Sequence, residues 1–125
     1  MARIFLAIVG GAYLLLAAWC AARPEQTAAS VGYDLASGSG RSEYFTVYGG
    51  LQVGLGLLFL WPLVREDSTP TVLTACLIVH AAIVVFRSLS FALFAGIQST
   101  TFILAGVEWA ILIASAGVAW LSLRS

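Results

Sequence analysis

The sequence predicts an all-α integral membrane protein, a four-helix transmembrane bundle forming a single domain over residues 1–125. Three observations carry this. Four apolar runs are each long enough to cross a hydrocarbon core of about 30 Å, which takes roughly 20 helical residues. The chain is 61% hydrophobic and only 10% charged, where a soluble domain carries about a quarter charged residues. Its mean hydropathy is +0.98, and a water-soluble chain of 125 residues cannot hide that much apolar surface, because a small domain buries only part of its chain.

The first run, IFLAIVGGAYLLLAAWCAA, covers residues 4–22. It shares the layout of a signal peptide, with Arg3 as the charged region and an apolar stretch to Trp19. It is long for such a segment, however. A lipoprotein-type cut before Cys20 would also put bulky Trp19 where a small residue is needed. The run is therefore read as a retained helix, stopped by Pro24. Residues 23–43, RPEQTAASVGYDLASGSGRSE, form the one substantial loop. Glu25 to Leu35 suits a short interfacial helix, and Ser37-Gly38-Ser39-Gly40 a flexible turn. The second helix is expected over residues 44–64 and the third over 71–94. Between them, REDSTP is a tight link in which Ser68 or Thr69 can cap and Pro70 sits in the first turn. Gly96 suits a C-terminal cap before the fourth helix, expected over 100–123.

Six arginines, no lysine, four glutamates and two aspartates balance to zero charge. There is no basic patch for nucleic acid and no polybasic cluster for anionic lipid. Cys20 and Cys76 have neither CxxC nor metal spacing, and alternating helices place them in opposite leaflets, too far apart for a disulfide. No metal site and no cofactor are expected. Arg3, Arg65 and Arg124 lie on one side and Arg23 and Arg41 on the other. That excess favours a cell-membrane protein with both termini in the cytoplasm.

Small residues mark the packing faces. Ala7, Gly10, Leu14, Ala17 and Ala21 form a stripe on the first helix. Gly49, Gly50, Gly54 and Gly56 crowd the second, and Gly50-Leu51-Gln52-Val53-Gly54 is a GxxxG. Such stripes let backbones approach closely, either inside the bundle or between two copies of the chain. Since Glu43 and Gly50 are seven apart, an α-helix puts them on one face, which is expected to meet the third helix. Trp19, Trp61, Trp109 and Trp120 read as interfacial or packing residues.

Ionisable groups at membrane depth are costly, so each is a candidate site. At 1.5 Å per residue, Glu108 and Gln52 lie about 12 Å and Arg87 about 10 Å below the loop-side surface. His80, two turns before Arg87, shares its face nearer the mid-plane. An Arg87–Glu108 ion pair is the simplest arrangement, since either charge alone would cost several kcal/mol. Glu43 is expected to make a second contact to the guanidinium, with Tyr44, Tyr48, Ser88 and Ser90 as further hydrogen-bonding groups. Three roles stay open for this cluster: fixing helix register, forming a polar pocket for a small molecule, or acid/base catalysis. His80 is either a proton carrier or a histidine satisfied by a hydroxyl or carbonyl.

Taken together, EYFTVYGGLQVGLGLLFL (residues 43–60), FRSLS around Arg87, Gly96 and VEW around Glu108 resemble a bacterial family of small four-helix membrane proteins, domain of unknown function 4345. The family pattern has an acid five residues before Tyr-Gly-Gly, matched by Glu43, Tyr48, Gly49 and Gly50. Gly54 and Gly56, the arginine, the following glycine and the glutamate of helix four then follow in order. Phe86 stands where the family often has a small residue before the arginine, and His80 lies outside the pattern. The resemblance, which extends to DoxX-like proteins in architecture, implies the four-helix fold and the polar cluster and assigns no activity.

The expected function is therefore a non-enzymatic membrane protein. It would be an accessory subunit of a larger membrane complex, or it would hold a lipophilic small molecule at Glu43, Arg87 and Glu108. One alternative is a small enzyme acting on a lipid or isoprenoid, with Glu108 or Glu43 as acid/base. Another is an oligomeric transporter or channel lined by His80 and Glu108.

Overall fold

The computed structural model describes residues 1–124. Its order is α1 (Ala2–Ala22), a short α2 (Pro24–Ser30), α3 (Gly38–Leu63), α4 (Thr69–Leu93) and α5 (Ser99–Arg124). The described residues contain no strand. The fold is all-α, and four of its helices are long and apolar enough to cross a membrane.

Local chemistry moves three boundaries from their expected places. Helix α3 starts six residues early, because Ser37 Oγ accepts a hydrogen bond from Gly40 N at 3.0 Å and caps it. The Ser-Gly-Ser-Gly stretch is thus a cap and first turn rather than a flexible turn. The interfacial helix ends at Ser30, and Gly32, at φ 83°, turns the chain away. Ser68 and Thr69 do not cap α4 through their side chains. Their hydroxyls donate back to the carbonyls of Arg65 and Glu66, both at 2.6 Å. Pro70 sits in the first turn, where its missing N–H costs nothing. Gly96, at φ 74°, makes the turn between α4 and α5.

Helix α3 is not α-helical throughout. Phe45–Leu51 forms a π-helical segment, and Gln52–Leu60 resumes the α-helix. A π turn takes more than four residues, so the stretch shifts the register of everything before it relative to everything after. Glu43 and Gly50 therefore do not share a face, although an uninterrupted α period would put them together.

Lipid tails are as apolar as leucine, so close packing rather than a hydrophobic drive holds such helices together. Here α1 lies along α3, α4 lies along α5, and α1 bridges the two pairs. The closest approach is between Gly10 and Gly56. A Cβ on Gly10 would meet Gly56 O at 2.8 Å, and a Cβ on Gly56 would meet Leu14 side-chain carbons at 2.8 Å and Gly10 O at 3.1 Å. Gly49 packs on Ala21 further along the same crossing. The expectation for Gly50 and Gly54 is corrected: both are exposed, with open space where a Cβ would sit. The face of α3 that carries Gly49 and Gly56 meets α1 instead of α4.

The solid core fills the end of the bundle that holds the amino terminus, where Leu6, Val9, Phe59, Val72, Leu73 and Cys76 interlock. A smaller cluster of Cys20, Ala28 and Tyr44 closes the other end. Ion pairs tie both ends down, Arg3 to Glu66 at 2.6 Å and Arg41 to Glu25 at 2.8 Å. Single cysteines at Ser39 and Asp67, two exposed positions, are expected to react with an impermeant maleimide from opposite faces of oriented vesicles. Labelling of both from one face would overturn the four-span arrangement. Native Cys20 and Cys76 are buried and free.

Candidate functional site

Between the two packed ends the four long helices enclose a cavity of about 360 Å³. Each helix supplies part of the wall: Tyr13 from α1, Tyr48 and Gln52 from α3, His80 from α4 and Glu108 from α5. Apolar side chains make up the rest, including Leu51, Leu104 and Val107. Known ligand sites are similar in kind, apolar pockets of roughly 300–1,000 Å³ with a few placed polar groups. Helices α3 and α5 hardly touch. Val47 and Leu51 on α3 and Val107 on α5 line the cavity and are exposed. The cavity therefore opens sideways between α3 and α5.

The π segment contributes to this wall, since Val47, Tyr48 and Leu51 all belong to it. Such segments widen the helix locally and recur at functional sites.

Arg87 on α4 and Glu108 on α5 form a two-point pair, Nε donating to Oε2 at 2.9 Å and Nη2 to Oε1 at 2.7 Å. The planar fork of the guanidinium matches the carboxylate, and the pair is net neutral. Glu108 faces the cavity and Arg87 does not line it. Phe86, the departure from the family pattern, is three-quarters exposed and touches none of this machinery.

His80 is 1% exposed and held at both ring nitrogens. Nδ1 lies 2.8 Å from Cys76 O and Nε2 lies 3.2 Å from Tyr13 Oη. A carbonyl only accepts, so Nδ1 carries the hydrogen and Nε2 accepts from the Tyr13 hydroxyl. This is the satisfied arrangement rather than that of an exposed proton carrier. Gln52 Oε1 is the opposite case, buried with no hydrogen-bond partner.

Two of the expected members lie elsewhere. Glu43 is exposed and makes no contact with Arg87. It lines a second, outer cavity of about 320 Å³ with Asp34, Tyr33 and Tyr48. The face of α3 that carries Gly50 and Gly54 is itself exposed and does not meet α4, so lying on it would not bring Glu43 to Arg87. Tyr44 is buried, but its hydroxyl donates to Thr27 Oγ1 at 2.9 Å and so pins α2 to the bundle. Tyr48 stacks on Tyr44 with ring centroids 4.5 Å apart and reaches Tyr33 Oη at 3.4 Å. Ser90 donates to the Arg87 carbonyl at 2.7 Å instead of its guanidinium, and Ser88 is exposed. Tyr13 escapes a search for ionisable residues because its phenol is uncharged. A polar atom in the middle of the first apolar run was the signal available.

Among the described residues no group of His, Cys, Asp and Glu is placed to hold a metal ion. The four tryptophans are about half exposed on the outside of the bundle, Trp120 beneath the Arg124 guanidinium at 4.5 Å.

Fold and site together define a class, the small all-α protein whose four span-length helices surround a side-opening apolar cavity with a few polar groups. The chain belongs to the family described as Domain of unknown function (DUF4345), whose profile matches residues 1–121. No match to this chain was found among curated proteins or among solved structures.

Proposed function

We propose that this is a non-enzymatic membrane protein that holds a lipophilic small molecule in the cavity between its four helices. In the cell membrane its termini face the cytoplasm, as the excess of arginine on that side favours. The observation that carries the reading is the 360 Å³ cavity with its sideways opening between α3 and α5. A molecule entering there comes from the acyl chains, so it must partition into them first. The catalytic alternative is weaker on one ground. Both oxygens of Glu108 are engaged by Arg87, which leaves no free base aimed into the cavity.

The test is to purify the chain in a non-ionic detergent and analyse organic extracts by mass spectrometry. Ala12 lines the cavity, is exposed, and belongs to neither core cluster, so Ala12→Phe fills space without disturbing the core. The wild type is expected to retain an apolar compound several-fold enriched over Ala12→Phe, with helicity unchanged. Identical extracts from the two proteins would rule out an occupied cavity.

A further inference from the structure

We infer that the outer cavity, beside the loop between α2 and α3, binds an organic ammonium ion against the rings of Tyr33, Tyr44 and Tyr48, with Asp34 and Glu43 as its counter-charges. This site is distinct from the central cavity and stands whatever that cavity holds.

Three tyrosines build one wall of this space of about 320 Å³. Tyr44 and Tyr48 stack, with ring centroids 4.5 Å apart and planes at 17°. Tyr33 stands across both, at 69° to Tyr48 and 68° to Tyr44, with centroids 5.9 and 6.1 Å away. The rings thus meet in a corner, and every ring face carries the negative side of its quadrupole. Aromatic corners take ammonium heads because alkyl groups on the nitrogen pack on the rings while the charge meets their faces. Hydrogen bonds hold this corner in place. Gly32, at φ 83°, turns the chain so that Tyr33 N donates to Ala28 O at 2.9 Å. Tyr44 Oη donates to Thr27 Oγ1 at 2.9 Å, and Tyr48 Oη to Tyr33 Oη at 3.4 Å. A wall ordered in advance removes one of the usual costs of association.

Charge points to the same class of ligand. Asp34 and Glu43 line the cavity beside the rings, and neither forms an ion pair among the described residues. The protein's own cations are placed elsewhere. The chain has six arginines and no lysine. Arg3, Arg41, Arg65 and Arg87 pair with Glu66, Glu25, Asp67 and Glu108. Arg23 donates to Gln26, and Arg124 lies over Trp120. Carboxylates and ring faces therefore share a space that no cation of the chain fills. An anion would be repelled by both acids. A metal ion is not suited, since among the described residues no group of His, Cys, Asp and Glu is placed to hold one. The apolar part of the wall, Leu35 and Val47, favours a nitrogen that carries alkyl groups. Val47 and Tyr48 also line the central cavity, so a long chain on the nitrogen would lie along them.

The experiment uses the full chain in dodecyl maltoside at constant ionic strength and reads binding from the rise in melting temperature. Choline is compared with its neutral isostere neohexyl alcohol, which has carbon in place of the nitrogen. Choline is expected to bind at least about tenfold tighter, a difference of 1.4 kcal/mol. Tyr33→Leu and Glu43→Gln are each expected to weaken choline binding several-fold, and Tyr33→Phe, which keeps the ring, to retain it. Both residues are exposed and belong to neither core cluster, so these variants are expected to fold, as circular dichroism would show. Decyltrimethylammonium separates the two sources of such a head. Tighter binding than choline, weakened again in Tyr33→Leu and Glu43→Gln, identifies a membrane-borne amphiphile; equal binding identifies a water-soluble amine, and both uphold the site. Equal shifts from choline and neohexyl alcohol would overturn the requirement for charge. No saturable shift with either cation, or unchanged choline affinity in Tyr33→Leu or in Glu43→Gln, would overturn the site.

Discussion

Gly10→Leu and Gly56→Leu are each expected to lower the unfolding free energy in detergent by about 3 kcal/mol or more, while Gly50→Leu and Gly54→Leu leave it unchanged. At Gly10 the first added carbon would lie 2.8 Å from the backbone oxygen of Gly56. A carbonyl held in a helix cannot swing aside as a side chain can, so α1 and α3 must separate. Overpacking a well-filled site costs roughly 1–3 kcal/mol and occasionally more. Separation of the pair that carries the closest packing puts these variants at the top of that range or beyond it. The clash at Gly56 is with Leu14 carbons at 2.8 Å and with Gly10 O at 3.1 Å, so its cost is somewhat smaller. Gly50 and Gly54 have open space at the same position. Unfolding in mixed micelles of dodecyl maltoside and SDS, followed by circular dichroism, measures all four. Destabilisation by Gly54→Leu as large as that by Gly56→Leu would show that the other face of α3 makes the contact.

The second large effect is expected at the ion pair. Arg87→Ala and Glu108→Ala each strand a charge in the bundle and are expected to cost about 3–5 kcal/mol. The double variant Arg87→Met with Glu108→Leu removes both charges and is expected to recover most of that loss. The coupling follows from two charge-assisted hydrogen bonds at 2.9 and 2.7 Å. Glu43→Gln serves as a control, because Glu43 forms no ion pair among the described residues; its stability is expected to match wild type. Additive losses in the double variant would show that Arg87 and Glu108 act separately.

The pairing of Arg87 with Glu108 was legible in the sequence because depth needs only residue counting. Each helix rises 1.5 Å per residue whatever it packs against. Two opposite charges at one depth in adjacent helices have few other partners available. The expectation for Glu43 fails twice, because the face of Gly50 does not meet α4 and because the seven-residue count itself does not hold. A seven-residue spacing locates a face only if every turn is α-helical, and Phe45–Leu51 is not. Nothing in FTVYGGL announces a π turn.

The sequence by itself determined the all-α class, the four long helices, the turn at Gly96 and the two ionisable residues that meet. These follow from local hydropathy, chain stiffness and the cost of a lone charge in hydrocarbon, none of which depends on which helix lies beside which. Only the tertiary structure decided that α3 packs on α1 through Gly56, that α3 and α5 stand apart, and that Tyr13, Gln52, His80 and Glu108 face one cavity. These helices are apolar all round, so hydropathy carries little signal of which face is inside. That choice falls to shape, to the fit of Gly56 against Gly10 and the rotation imposed by the π segment, and shape exists only once the helices have met.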